Sequence, residues 1–133
     1  LPSVTDIFPR FRVRFSSHHF KSSFMNKSTR ATFALNVSLY VKAERREEFI
    51  ECILANQRAT LSEEPLACSY VWGEDATEPL TFHFSESYVT REGFEAHTTT
   101  AHFAAWEAFA ATDPFTKDPE VRFFTIHVDP QLK

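Results

Sequence analysis

The side chains best suited to moving a proton near neutral pH are two histidines five residues apart, His97 and His102, because an imidazole ordinarily titrates near pH 6.5. In an unbroken helix, five residues at about 100° each leave them roughly 140° apart, too far round for both to face one cavity. Thr98, Thr99 and Thr100 lie between them and are weak helix formers in succession, so the spacing predicts a kink that relaxes this limit. His102 is favoured as the residue at a pocket, with His97 as its neighbour. A structural reading stands beside this one, in which both histidines bond backbone groups freed by the kink.

A second group lies on extended segments. Glu86 and Tyr88 alternate with Phe82 and Phe84 on one strand face, where a carboxylate must be paired or solvated. Arg91 and Arg58 are the partners expected. Asn36 interrupts the first strand among small residues, either aiming its amide at a carbonyl or activated oxygen or facing solvent or a partner. His83 and Trp106 are weaker pocket candidates. His18 and His19 are adjacent and would point apart in extended chain, so no metal site is expected there. The chain has no His-Glu-x-x-His and no Ser-His-Asp pattern. With Gly73 and Gly93 as its only glycines it has no phosphate-cradling loop.

These residues need positioning elements. Phe33, Leu35, Val37, Leu39 and Val41 alternate with smaller or polar residues, the period of a strand. Glu44, Glu47 and Glu48 then open a helix carrying Phe49, Ile50, Ile53, Leu54 and Leu61, which stops near Glu63 or Glu64 because Pro65 follows. Leu66 to Trp72 and Phe82 to Tyr88 read as a hairpin around the polar turn Gly73 to Pro79. Arg91 to Thr112 reads as two helical pieces, and Val121 to His127 as the last strand. The order βαββαβ is the split βαβ arrangement of ferredoxin-like α+β domains. Both alternating sets in the strands contain bulky residues, so the sheet face away from the helices is expected to be apolar and to need a partner.

Composition bounds the rest. The net charge of −4 divides into +5 over residues 1–30 and −9 over the remaining 103. So acidic a body repels phosphate backbones, and nucleic acid is not an expected partner. No apolar run is long enough to span a membrane. Cys52 and Cys68 read as reduced core residues of a reducing compartment. Residues 1–30 interleave five phenylalanines with six cations, a composition like an organellar transit segment. They are expected to form a basic arm, transit-like or docking onto a larger assembly, beside a domain over residues 31–133. Localisation is expected to be intracellular, in a mitochondrion or plastid, with the cytoplasm as alternative.

One stretch carries a family resemblance: Ser62-Glu63-Glu64-Pro65, Tyr70, Glu78-Pro79, Phe82-His83-Phe84-Ser85-Glu86-Ser87-Tyr88, Phe94-Glu95-Ala96-His97 and Thr100-Ala101-His102-Phe103. In this order these segments resemble the antibiotic biosynthesis monooxygenase family over about residues 33–127, nearest to its small quinol monooxygenases and autoinducer-degrading proteins. In those subtypes a proline commonly precedes the second histidine, where this chain has Ala101. The resemblance implies a homodimeric α+β barrel with a pocket between sheet and second helix in each subunit. By this resemblance His97 and His102 stand on the element that lines the family's pocket; on their chemistry His102 and His97 are the catalytic candidates, with Asn36, His83, Glu86, Tyr88 and Trp106 as candidates for the substrate pocket. Related haem-degrading proteins also carry an asparagine on the first strand.

The function expected is a cofactor-independent monooxygenase or related isomerase acting on a small quinol, phenol or enolisable carbonyl compound. The alternative is a non-catalytic subunit docked by its arm onto an organellar assembly. Cavity volume separates them: a few hundred Å³ beside His97 or His102 suits an enzyme, a filled interior a scaffold.

Overall fold

The computed structural model describes residues 30–128 together with Pro130 and Gln131; the arm expected over residues 1–30 lies outside these except for Arg30. Strand β1 spans Phe33–Tyr40, a 3-10 turn Ala43–Arg45, helix α1 Arg46–Glu63, β2 Ala67–Glu74, β3 Thr81–Tyr88, α2 Arg91–His97, α3 Ala101–Ala110 and β4 Glu120–Thr125. The sheet order is β2-β3-β1-β4 with every neighbouring pair antiparallel, the ferredoxin-like α+β arrangement expected from the element order.

Strand parity decides what each face carries. Leu35, Val37 and Leu39 of β1 sit opposite Glu86, Phe84 and Phe82 of β3, and this set faces the helices. Phe49 of α1 is the hub of that core, fully buried with its ring against those of Phe82, Phe84, Trp106, Phe109 and Phe115.

The opposite face departs from expectation. Asn36 pairs with Ser85, Ser38 with His83 and Tyr40 with Thr81, while β2 adds Ser69, Val71 and Gly73 opposite Ser87, Ser85 and His83. That face is small and polar rather than an aromatic row, since the bulky residues of β1 and β3 occupy only the parity turned to the helices. Its large apolar exceptions are Val71, 65% exposed, and Phe124, 44% exposed. The cysteines are free as expected and both are half-buried, Cys52 packed against the main core.

Helix ends follow the local chemistry. Pro65 forces Glu64 to extended angles (φ −96°, ψ 111°) and stops α1. Between α2 and α3 the chain leaves helical geometry at the threonines, each of which donates its hydroxyl to the carbonyl three residues back, on Glu95, Ala96 and His97. Thr100 also caps α3, its Oγ1 accepting from the N–H of Phe103.

Gly93 lets α2 approach the hairpin, because a Cβ there would fall 2.8 Å from Cβ of Leu66 and 3.4 Å from that of Tyr88. Gly93→Ala should therefore cost about 1–3 kcal/mol through overpacking, and Phe49→Ala about 3–5 kcal/mol through the cavity it leaves. Chemical denaturation of the two variants beside the wild type measures both; a Gly93→Ala protein as stable as wild type would contradict the close contact.

Candidate active site

A single carboxylate oxygen organises the junction of the three helices. Glu64 Oε2 accepts a hydrogen bond from His97 Nδ1 at 2.7 Å and another from His102 Nε2 at 2.5 Å. All three side chains are withdrawn from solvent, and the histidine rings lie 5.6 Å apart. The kink predicted at the threonines is what brings both rings to one place, and the freed carbonyls are bonded by the threonine hydroxyls, not by the histidines.

Burial alone would raise the Glu64 carboxyl. Hydrogen bonds and charge from His97, then from His102, outweigh it and hold the group below its ordinary 4.5. Glu64 is therefore an anion, and the nitrogens facing it carry the protons. His97 then presents Nε2 as its uncommitted nitrogen, the tautomer control of a carboxylate-oriented general base. The His97 ring is boxed by Tyr88, Phe94 and Phe103, which keeps water away from the pair.

His97 forms part of the wall of an internal cavity of about 60 Å³. The wall is otherwise largely apolar, with Leu35, Ile53, Phe84, Phe94 and Phe103 among its members; Tyr70, Asn56 and Glu86 bring polar atoms to it. Asn56 is itself tied down, donating to the carbonyl of His102 and accepting from Thr60. The volume is below the few hundred Å³ of a site sized for small molecules; it is large enough for dioxygen or a few waters.

Glu86 stands at the centre of the row Leu35–Glu86–Tyr70 across β1, β3 and β2. The arginine partners expected for it are elsewhere: Arg91 pairs with Glu95, and no salt bridge reaches Glu86 among the described residues. Burial raises its carboxyl to about 7, against an opposing pull from His97 and with a further push from Glu64.

The other candidates divide by place. Trp106 lines the cavity. Tyr88 is buried beside His97, its hydroxyl unpartnered among the described residues and its ionisation suppressed by burial. His102 does not line the cavity and holds Glu64 from the far side. Asn36 and His83 lie on the outer sheet face, away from the histidines; His83 there joins Ser38 Oγ (2.9 Å) to Asp75 Oδ2 (2.7 Å). Glu64, Asn56 and Tyr70 were not among the residues expected. Glu64 alone had a local signal, a carboxylate forced off the end of a helix by proline.

Glu64, His97 and His102 each offer one ligand atom, all within 4.8 Å of one another, so these residues could hold a divalent ion. In the arrangement described, the contacts are hydrogen bonds converging on one oxygen. No helix among the described residues is long and apolar enough to cross a membrane.

Residues 32–108 match the profile of the antibiotic biosynthesis monooxygenase family. Among solved structures, a Nitrosomonas europaea protein provisionally assigned as an antibiotic biosynthesis monooxygenase is 26% identical, with TM-score 0.64 over 69% of this chain and 95% of that one. A Caulobacter crescentus protein with the same provisional assignment is 18% identical, with TM-score 0.67 over 74% and 92%; at that identity the likeness shows the fold alone. No curated protein matches the chain in sequence.

The two buried carboxyls predict opposite pH signatures. The stabilisation from Glu64, whose folded pKa is depressed, is present above about pH 4.5 and lost as pH falls through the folded value. For Glu86, whose folded pKa is raised, stability is greatest below about pH 4.5 and declines as pH climbs to about 7. Glu86→Gln should therefore gain on wild type by about 3 kcal/mol between those limits, whereas Glu64→Gln should lose stability at neutral pH and converge with wild type in acid. Denaturation curves at a series of pH values separate the two, and a flat Glu86→Gln difference would refute the assignment.

Proposed function

The chain belongs to the antibiotic biosynthesis monooxygenase family, and on that footing we propose that it is a small cofactor-independent monooxygenase or related isomerase, acting on a quinol, a phenol or an enolisable carbonyl compound. The observation that carries this reading is the Glu64–His97 pair, 2.7 Å apart in a dry setting, with His97 in the wall of an apolar cavity.

In such chemistry the substrate supplies the electrons. His97 Nε2 removes a proton from a hydroxyl or an acidic C–H, and Glu64 stabilises the imidazolium that results. The phenolate or enolate left behind is electron-rich and shielded from water by Phe94, Phe103 and Trp106. Reaction with dioxygen then puts one oxygen atom on the substrate and releases the other as water, the two electrons coming from the substrate. Without oxygen, return of the proton at a different atom gives isomerisation. A ring compound needs a cavity of about 150 Å³, so binding it requires the wall near Trp106, Phe115 and Val121 to part.

That narrow cavity also favours a second reading, a non-catalytic subunit in which the domain is scaffold and residues 1–30 dock it to a larger, organellar assembly. Either way a homodimer is expected, with exposed Val71 and Phe124 of the outer sheet face among the contacts.

Oxygen uptake by the purified protein against a panel of quinols decides between the readings. Turnover without added metal or flavin, reduced about 100-fold or more by His97→Gln and less by His102→Gln, is the expected result. Absence of uptake across the panel would favour the scaffold, and metal-dependent turnover would count against the acid–base mechanism. Light scattering should report about twice the 15.4 kDa of the chain; a stable monomer would remove the dimer from both readings.

A further inference from the structure

We infer that Glu86 is the cavity's hydrogen-bond donor, a neutral carboxylic acid that holds the carbonyl or phenolic oxygen of the substrate, so that the site selects small oxygen-bearing rings over hydrocarbons of the same shape. The inference rests on the reading of this cavity as a substrate site and adds the residue that sets its specificity.

The geometry is that of an acid without a base. Glu86 is 7% exposed, lines the cavity, and makes no hydrogen bond or ion pair with its side chain among the described residues. A buried carboxylate in that position would be an unpaired charge, which proteins avoid by keeping the proton. The titratable groups facing it are Tyr70 from β2, Tyr88 from its own strand, His97 from the end of α2 and Glu64 from the end of α1. None is a lysine or arginine. The Glu64 anion disfavours a second negative charge nearby, and burial keeps the carboxyl protonated up to about pH 7. Most of the remaining wall is apolar; Tyr70 also brings a hydroxyl to it, so a ligand oxygen buried here would be satisfied at Glu86 or at Tyr70, and Glu86→Leu separates the two.

The two groups would then act in sequence. His97 Nε2 takes a proton from the carbon beside a carbonyl, the C–H electron pair becomes the enol double bond, and the carbonyl oxygen takes the Glu86 proton. The new imidazolium favours this, because its positive charge stabilises the Glu86 carboxylate left behind. With a β,γ-unsaturated ketone the intermediate is a dienol: the imidazolium returns the proton to the far carbon of the conjugated system while the O–H proton goes back to the Glu86 carboxylate, which restores both residues and leaves no net change in protons or electrons.

The test uses two probes of one shape on the whole protein: cyclohexanone, whose oxygen only accepts hydrogen bonds, and methylenecyclohexane, which has no oxygen. Binding is followed by NMR titration, with no turnover required. The ketone should bind about tenfold more tightly than the hydrocarbon near pH 6, and the preference should fade by about pH 8 as Glu86 loses its proton. Glu86→Gln should keep the preference at both pH values, because an amide donates regardless of pH. Glu86→Leu should abolish it, and His97→Gln should retain it near pH 6. Equal affinities in the wild type, a preference that survives Glu86→Leu, or no saturable ketone binding would each overturn the inference. Oxygen uptake is independent of this measurement: ketone selectivity with no uptake would leave Glu86 as assigned and remove the oxygenase reading, and uptake without selectivity would do the reverse.

Discussion

A buried anion must be matched or expelled, and in this fold the match is made at one atom, Glu64 Oε2, shared by two imidazoles. Three chain segments meet there. Pro65 fixes where α1 ends and so where the carboxylate is presented; the last residue of α2 and the first turn of α3 supply its partners. The threonine break allows this by turning α3 away from the α2 axis while keeping every freed carbonyl bonded. Loss of either histidine would leave the charge half-paired, so the cluster couples the path of the second helical segment to the protonation of the site.

The same cavity shows how environment separates two chemically similar groups. Glu64 has two donors and its carboxyl is held below the ordinary value; Glu86 has none and keeps its proton toward neutrality. Neither outcome follows from the residue type, and the Glu64 anion helps to keep Glu86 neutral, because two anions in one dry space repel. An acid and an anion-supported base facing one apolar volume are the usual ingredients of proton-transfer catalysis.

Much of this was legible in the sequence, and what was not has a physical reason. Alternation in β1 and β3 fixed the strands and, by parity, already set Asn36 opposite Leu35 and His83 opposite Phe82 and Phe84; a pocket on the helix side could not include them. The run of threonines located the kink, and Pro65 the end of α1. The convergence of Glu64 with His97 and His102 joins residues 33 and 38 positions apart, a separation that no local period encodes. Asn56 was illegible for the same reason, looking like ordinary helix interior until the layers are stacked; Tyr70 stood out in the resembling stretch, but nothing local placed it at the cavity. The expectation of an apolar outer sheet face failed because it counted bulky residues along each strand without following which parity they occupied.

The cavity's walls are not equally firm. On the Phe115 side, the chain after α3 is bound at several points: Lys42 pairs with Asp113, Arg45 donates to the carbonyl and hydroxyl of Thr112, and Val41 bridges to Phe115. Strand β4, which brings Val121 to the cavity, pairs with β1 alone among the described residues and is exposed along nearly its whole length. Paired on one side among the described residues and largely exposed, it is held less closely than the Phe115 side. A ring larger than the present space would therefore displace the β4 side first, while the Glu64–His97 pair, anchored by helices and boxed by aromatic rings, keeps its place.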